Sequence, residues 1–228
     1  METPRSIIQE TMKQNLDIES PYPHQTSCIE NIAFEKRSTL LVAPTGSGKT
    51  ETYLTCASLL GGVTIYLGPT IALAAEQTTR AQKLKYRSLV VYLKQVSADQ
   101  AQHLVEGFKH AKTKTLKPII LFACPQDLVT ESWSELVDTL VQNDLISLVV
   151  VDEIHQVPLS EDYRLEFQVL KVSLFDKLKQ QRETPPVLGL TASFTKTLWD
   201  AYIRIAGHDF DDVVWGDIVR KDVQFHAC

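Results

Sequence analysis

Ser38-Thr39-Leu40-Leu41-Val42-Ala43-Pro44-Thr45-Gly46-Ser47-Gly48-Lys49-Thr50 runs from an apolar stretch, through two closely spaced glycines, into a segment of helical length. Strand, glycine loop and helix start in that order form the context of a phosphate-binding loop. Gly46 and Gly48 free the backbone to turn so that the N–H groups of Thr45 to Thr50 converge on phosphate oxygens. The helix that opens at Lys49 adds its positive dipole end. Lys49 is placed to reach the β- and γ-phosphates of a nucleotide, and the Thr50 hydroxyl to ligate Mg²⁺. The strict pattern has glycine where this chain has Ala43. The plain alternative is a glycine-rich turn that happens to precede a helix.

Outward from that loop, short apolar runs alternate with longer helical patterns. Strands are expected at Ser38–Ala43, Val63–Leu67, Ser88–Leu93, Pro118–Phe122, Ile146–Val151 and Val187–Leu190. Each is apolar nearly throughout, as strands buried on both faces should be. Helices are expected at Lys49–Leu60, Ile71–Leu84, Ala98–Lys109, Trp133–Val141 and Asp162–Gln180. Strand and helix repeated along one chain imply an α/β fold: an open, mostly parallel sheet with helices on both faces. Gly61-Gly62 ends the helix after the loop, and Pro185-Pro186 precedes a strand. Residues 1–228 read as a single domain, with residues 1–20 as an N-terminal extension.

Composition narrows the class. The 228 residues are 44% hydrophobic and 22% charged, with a net charge of −5. Those values exclude low-complexity and collagen-like chains. The apolar run at Leu145–Val151 is far shorter than the ~20 residues of a membrane span, so no membrane association is expected. Cys28, Cys56, Cys124 and Cys228 are scattered without a CxxC pair, which points to free thiols in a reducing, intracellular compartment. A net acidic chain binds nucleic acid only through a local surface. The basic residues Lys83, Lys85 and Arg87, and Lys109, His110, Lys112, Lys114 and Lys117, are read as solvated faces rather than as that surface.

Leu148-Val149-Val150-Val151-Asp152-Glu153-Ile154-His155 sets two carboxylates at the end of the most apolar strand. The carboxyl ends of strands are where open α/β sheets hold ligands. Asp152 suits Mg²⁺, a hard cation that keeps several waters. Glu153 is then placed to orient and deprotonate an attacking water. An acidic strand end that merely caps the next helix is the alternative.

The string Ala43–Thr50 with Asp152-Glu153-Ile154-His155 resembles the superfamily 2 DEAD/DEAH-box helicases. Within them, further segments resemble the RecQ-like DNA helicases. Gln25, in Pro21-Tyr22-Pro23-His24-Gln25, stands where that family has its adenine-reading glutamine, and Tyr22 stands where it has an arginine. Gly68-Pro69-Thr70-Ile71-Ala72-Leu73 with Glu76-Gln77 is similar to motif Ia, and Cys124-Pro125-Gln126-Asp127-Leu128 to motif Ib. Thr191-Ala192-Ser193 stands at motif III, and Asp162-Tyr163-Arg164-Leu165-Glu166-Phe167 is similar to the end of the family's aromatic-rich loop. Gln156–Glu161 lacks the tryptophan which that loop carries. Tyr163 and Phe167 read equally well as helix core.

The resemblance implies a RecA-like P-loop NTPase domain that binds ATP and Mg²⁺ and serves as the ATP-binding motor of a DNA helicase. It implies that Tyr22 and Gln25 face the adenine, that His155, Thr191 and Ser193 couple nucleotide state to nucleic acid, and that Pro69, Thr70, Pro125 and Gln126, with Thr191, touch the strand. It implies DNA rather than RNA as partner, and a second RecA-like domain, absent from these 228 residues, in cis or in trans. The compartment would be the nucleus in a eukaryote and the cytoplasm in a bacterium. An RNA-directed DEAD/H-box ATPase and a non-unwinding, nucleotide-switched binding domain stand as alternatives.

Overall fold

The computed structural model describes residues 2–83, 89–111, 116–128, 130–159 and 161–217. Lys85, Arg87, Lys112, Lys114, Arg220 and Cys228 lie outside them, as does the side chain of Tyr163. In chain order the elements are α1 (Pro4–Leu16), α2 (Pro23–Ile29), β1 (Thr39–Val42), α3 (Lys49–Leu60), β2 (Val63–Leu67), α4 (Ile71–Lys83), β3 (Leu89–Tyr92), α5 (Ala98–Lys109) and β4 (Ile119–Ala123). There follow α6 (Pro125–Leu128), α7 (Glu131–Gln142), β5 (Ile146–Val151), α8 (Gln156–Leu159), α9 (Glu161–Leu170), α10 (Asp176–Leu178), β6 (Val187–Thr191), α11 (Lys196–Ala206) and β7 (Asp212–Trp215).

Among the described residues, seven strands form one sheet in the order β3-β4-β2-β5-β6-β1-β7. Every pairing is parallel, so the sheet is wholly rather than mostly parallel. Parallel neighbours need crossovers, and the helices that supply them cover both faces. Along β1 the side chains alternate: Leu40 and Val42 join one core, Leu41 the other. The first core takes Val105, Leu136, Leu140, Phe167 and Tyr202 from α5, α7, α9 and α11. The second takes Ile8, Met12, Ile29, Tyr53 and Ala74 from α1 to α4.

Three departures from the sequence reading matter. Residues 1–20 contain α1, capped by the Thr3 side chain on the Ser6 N–H, with Ile8 and Met12 fully buried. The long helix expected at Asp162–Gln180 is α9 and α10 joined by a π-turn at Lys171–Phe175. β7 extends the sheet beyond β1, pairing Leu40 with Val213 and Val42 with Trp215.

The order of strands decides what sits together. Only β6 separates β1 from β5, so the loop after β1 and the carboxylates after β5 open on one edge with Thr191 between them. The Ala43 N–H donates to the Thr191 carbonyl at 2.9 Å, which ties the start of the loop to the end of β6. On the other side of β5 lie the ends of β2 and β4, which carry Gly68-Pro69-Thr70 and Cys124-Pro125-Gln126.

Candidate nucleotide site

Gly46 and Gly48 adopt left-handed backbone conformations, with φ of 81° and 83°. Gly48 also has no room for a side chain, since a Cβ there would lie 2.2 Å from Gln25 Nε2. Gln25 is buried and fastened at both ends of its amide. Nε2 donates to the Gly48 carbonyl at 3.0 Å, and Oε1 accepts from the Tyr22 N–H at 2.8 Å. Both bonds leave it one further donor and one further lone pair for a base. His24 Nε2 lies 3.0 Å from the Ser47 carbonyl, and its ring stacks on the exposed Tyr22 at a centroid distance of 5.4 Å. The segment before α2 thus holds the loop from outside.

The Lys49 ammonium donates to the carbonyls of Ala43 at 2.8 Å and Pro44 at 3.2 Å. Among the described residues no carboxylate lies within ion-pair distance of it, while the Asp152 and Glu153 charges act on it from across the site. The Thr50 hydroxyl donates to Gln77 Oε1 at 3.2 Å. Among the described residues, Ser47 Oγ is buried without a hydrogen-bond partner.

At the end of β5 the chain turns sharply, because Glu153 lies in the left-handed region at φ 47°. A non-glycine residue there costs roughly 1–2 kcal/mol. The turn is held from both sides: the Asp152 N–H donates to Leu67 O of β2 at 2.9 Å, and the Ile154 N–H to Leu190 O of β6 at 3.0 Å. Asp152 accepts the hydroxyl proton of Tyr66 on Oδ2 and the Glu153 N–H on Oδ1. Burial holds the Asp152 carboxyl above the usual carboxylate range, against the opposite pull of Tyr66, the Glu153 N–H and Lys49. Burial, and next the Asp152 charge, push Glu153 up as well, while Lys49 and His155 oppose them. A carboxylate shifted that way is a stronger base at neutral pH.

His155 reads the turn. Thr191 gives its hydroxyl proton to the Ser193 carbonyl at 2.9 Å. His155 Nδ1 lies 2.9 Å from Thr191 Oγ1. Gln156 Nε2 lies 3.2 Å from His155 Nε2. Glu153 Oε2 is also 3.2 Å from Nδ1, so the imidazole stands between the carboxylate and Thr191.

These groups border one cavity of about 670 Å³, walled by Tyr22, Gln25, Thr45, Gly46, Gly48, Lys49, Thr50, Asp152 and Glu153. Its size falls in the range of small-molecule sites, ~300–1,000 Å³. Leu16 and Ile18 close one side and Glu76, Gln77 and Arg80 another. The site fits a nucleotide triphosphate: a glycine cradle with no room for a side chain at Gly48, a lysine with no carboxylate within ion-pair distance among the described residues, and two carboxyls across the cavity from it. Among the described residues no group of three or more His, Cys, Asp and Glu could cage a metal.

Pro69 and Thr70 stand beside Pro125 and Gln126 because Leu67 and Ala123 are paired at the ends of β2 and β4. Thr70 and Gln126 are exposed, Pro69 is half-buried and Pro125 buried. Thr191 does not belong to that surface. It is 0% exposed and its hydroxyl is engaged by His155 and Ser193, so it joins β6 to the acidic turn instead of touching a ligand. Phe167 is core, 0% exposed. Sequence reasoning missed Tyr66 and Tyr53, and it quoted His24 and Gln77 only within motifs. Tyr53 lies three residues after Thr50, on the same face of α3, which was a usable signal.

A model of the DEAD/DEAH box helicase family matches residues 22–201. The chain belongs to that family. Its relatives include RecQ-type helicases: it is 27% identical over 190 residues to the ATP-dependent DNA helicase Q5 of Rattus norvegicus, covering 82% of this chain and 19% of that protein. It is 32% identical over 160 residues to the ATP-dependent DNA helicase Q-like 5 of Arabidopsis thaliana, covering 69% of this chain and 16% of that one. The chain thus spans less than a fifth of the length of these two relatives. The crystal structure of the DUF1998 helicase MrfA bound to DNA superposes with a TM-score of 0.67 at 17% identity, covering 95% of this chain and 30% of that one. The fold is that of a RecA-like helicase domain. No helix among the described residues is long and apolar enough to cross a membrane.

Proposed function

We propose that this chain is the ATP-binding motor domain of a RecQ-like DNA helicase, coupling ATP hydrolysis to movement on DNA. The observation that carries the reading is the meeting, in one cavity, of the Lys49 ammonium on a glycine loop with the Asp152 and Glu153 carboxyls on the turn after β5. Lys49 and the N–H groups of Thr45 to Thr50 hold the triphosphate, and Gln25 and Tyr22 border the base. Thr50 and Asp152 hold Mg²⁺, which supplies charge neutralisation on the phosphate oxygens when bound. Glu153 accepts a proton from the attacking water on Oε2. The chain Glu153–His155–Thr191–Ser193 passes the state of that carboxylate to the loop after β6. Pro69, Thr70, Pro125 and Gln126 form the nucleic-acid edge, where backbone groups and hydroxyls serve a chain of net negative charge.

The test is fluorescence anisotropy of matched single-stranded DNA and RNA oligonucleotides, with and without Mg²⁺ and a non-hydrolysable ATP analogue. The expected result is binding that responds to nucleotide and favours DNA. Tighter binding to RNA would assign the domain to RNA, and nucleotide-independent binding to both would remove the coupling.

A further inference from the structure

We infer that Gln77 is a positioning residue, tying the metal-facing hydroxyl of Thr50 to the helix that starts at the candidate nucleic-acid edge. The inference rests on the nucleotide reading above and adds to it a link that runs outside the acidic box.

Gln77 is 8% exposed, and its Oε1 accepts two hydroxyl protons, from Thr50 at 3.2 Å and from Tyr53 at 3.1 Å. A threonine hydroxyl has one proton and two lone pairs. Giving the proton to Gln77 leaves the lone pairs for a cation and fixes their direction. Tyr53 in turn packs on Tyr66, ring centroids 5.0 Å apart, and Tyr66 donates to Asp152. Both side chains assigned to the metal, Thr50 and Asp152, are therefore held by buried partners that touch through one pair of rings.

Gln77 sits on α4, seven residues after Thr70, whose hydroxyl and carbonyl accept the Leu73 and Ala74 N–H groups and fix the start of that helix. Seven residues of helix span about 10 Å. A strand that shifts Thr70 moves the same rigid helix on which Gln77 holds Thr50. Reciprocally, a cation on Thr50 orders that helix.

The test uses the 228-residue chain and a fluorescent ATP analogue, titrated in Mg²⁺ and in EDTA, for Gln77→Met and Gln77→Glu. Met keeps the volume and loses the acceptor; Glu can only accept. For Gln77→Met the expected result is about a tenfold loss of affinity in Mg²⁺, with affinity in EDTA unchanged. Gln77→Glu is expected to need no more Mg²⁺ than the parent. An unchanged Mg²⁺ dependence in Gln77→Met, or an equal loss in both buffers, overturns the inference and leaves the nucleotide reading standing. A parent chain that binds no nucleotide in either buffer overturns that reading itself. Should Gln77→Met fail to fold, a raised Mg²⁺ requirement in Gln77→Glu is the overturning result.

Discussion

Two glycines in one loop do different work. Gly46 and Gly48 share a left-handed backbone, but the space beside Gly46 is open, whereas a Cβ on Gly48 would strike Gln25. Gly46→Ala should cost only backbone strain, about 1–2 kcal/mol. Gly48→Ala should cost that strain plus the Gln25 hydrogen bond, about 1 kcal/mol more, and should weaken nucleotide binding further. Urea midpoints and nucleotide affinities of the two variants check this; equal losses would show that Gln25 does not brace the loop. At this scale much was legible. Lys49, Thr50, Asp152 and Glu153 stand in strings whose residue types state their chemistry. Gln77 and Tyr66 were not legible as site residues, because their partners come from α3 and β5 and only the folded sheet brings them near. Thr191 was misread as a surface contact for the same reason: a hydroxyl at a strand end looks alike whether its neighbour is solvent or an imidazole.

Among the elements, six strand runs and the helix after the loop were evident as apolar stretches and a glycine stop. β7 was not. Asp212-Val213-Val214-Trp215 is four residues beside the acidic residues Asp209 and Asp211, and its register comes from β1. Those acids turn out to be local braces: Asp209 accepts the Trp199 indole N–H at 3.1 Å, and Asp211 the Ser38 N–H at 2.7 Å. α1 was hidden by its charges, although Ile8, Met12 and Leu16 recur every four residues. The turn between α11 and β7 carries His208, stacked on Phe175 and edge-on to Phe210. Burial lowers its imidazole to about 4 from the ordinary 6.5. Below the ordinary value the unfolded chain takes up a proton that the fold refuses until about 4. Stability should therefore be intact above the ordinary value and fall by about 1–3 kcal/mol on acidification through that window. In His208→Phe this part of the pH dependence should vanish from urea midpoints; a slope identical to the parent's would clear His208 of the effect.

For the molecule as a whole, the sheet order is what turns separate strings into a site. With β6 between β1 and β5, the loop, the acidic turn and Thr191 share an edge, and β2 and β4 offer the neighbouring edge to a strand. The family's fold was readable from alternation and motif order, while the side-chain links across the edge were not, since they depend on which strands become neighbours. The central claim is that this edge binds Mg²⁺–ATP through Lys49. Titration calorimetry of Mg²⁺–ATP into the parent chain and into Lys49→Ala, at matched melting temperature, tests it most directly. One site in the parent, with affinity reduced about a hundredfold or more in the variant, is the result expected when a hydrogen-bonded charge pair with phosphate is removed. Equal affinity in the two chains, or no binding by the parent, would contradict it.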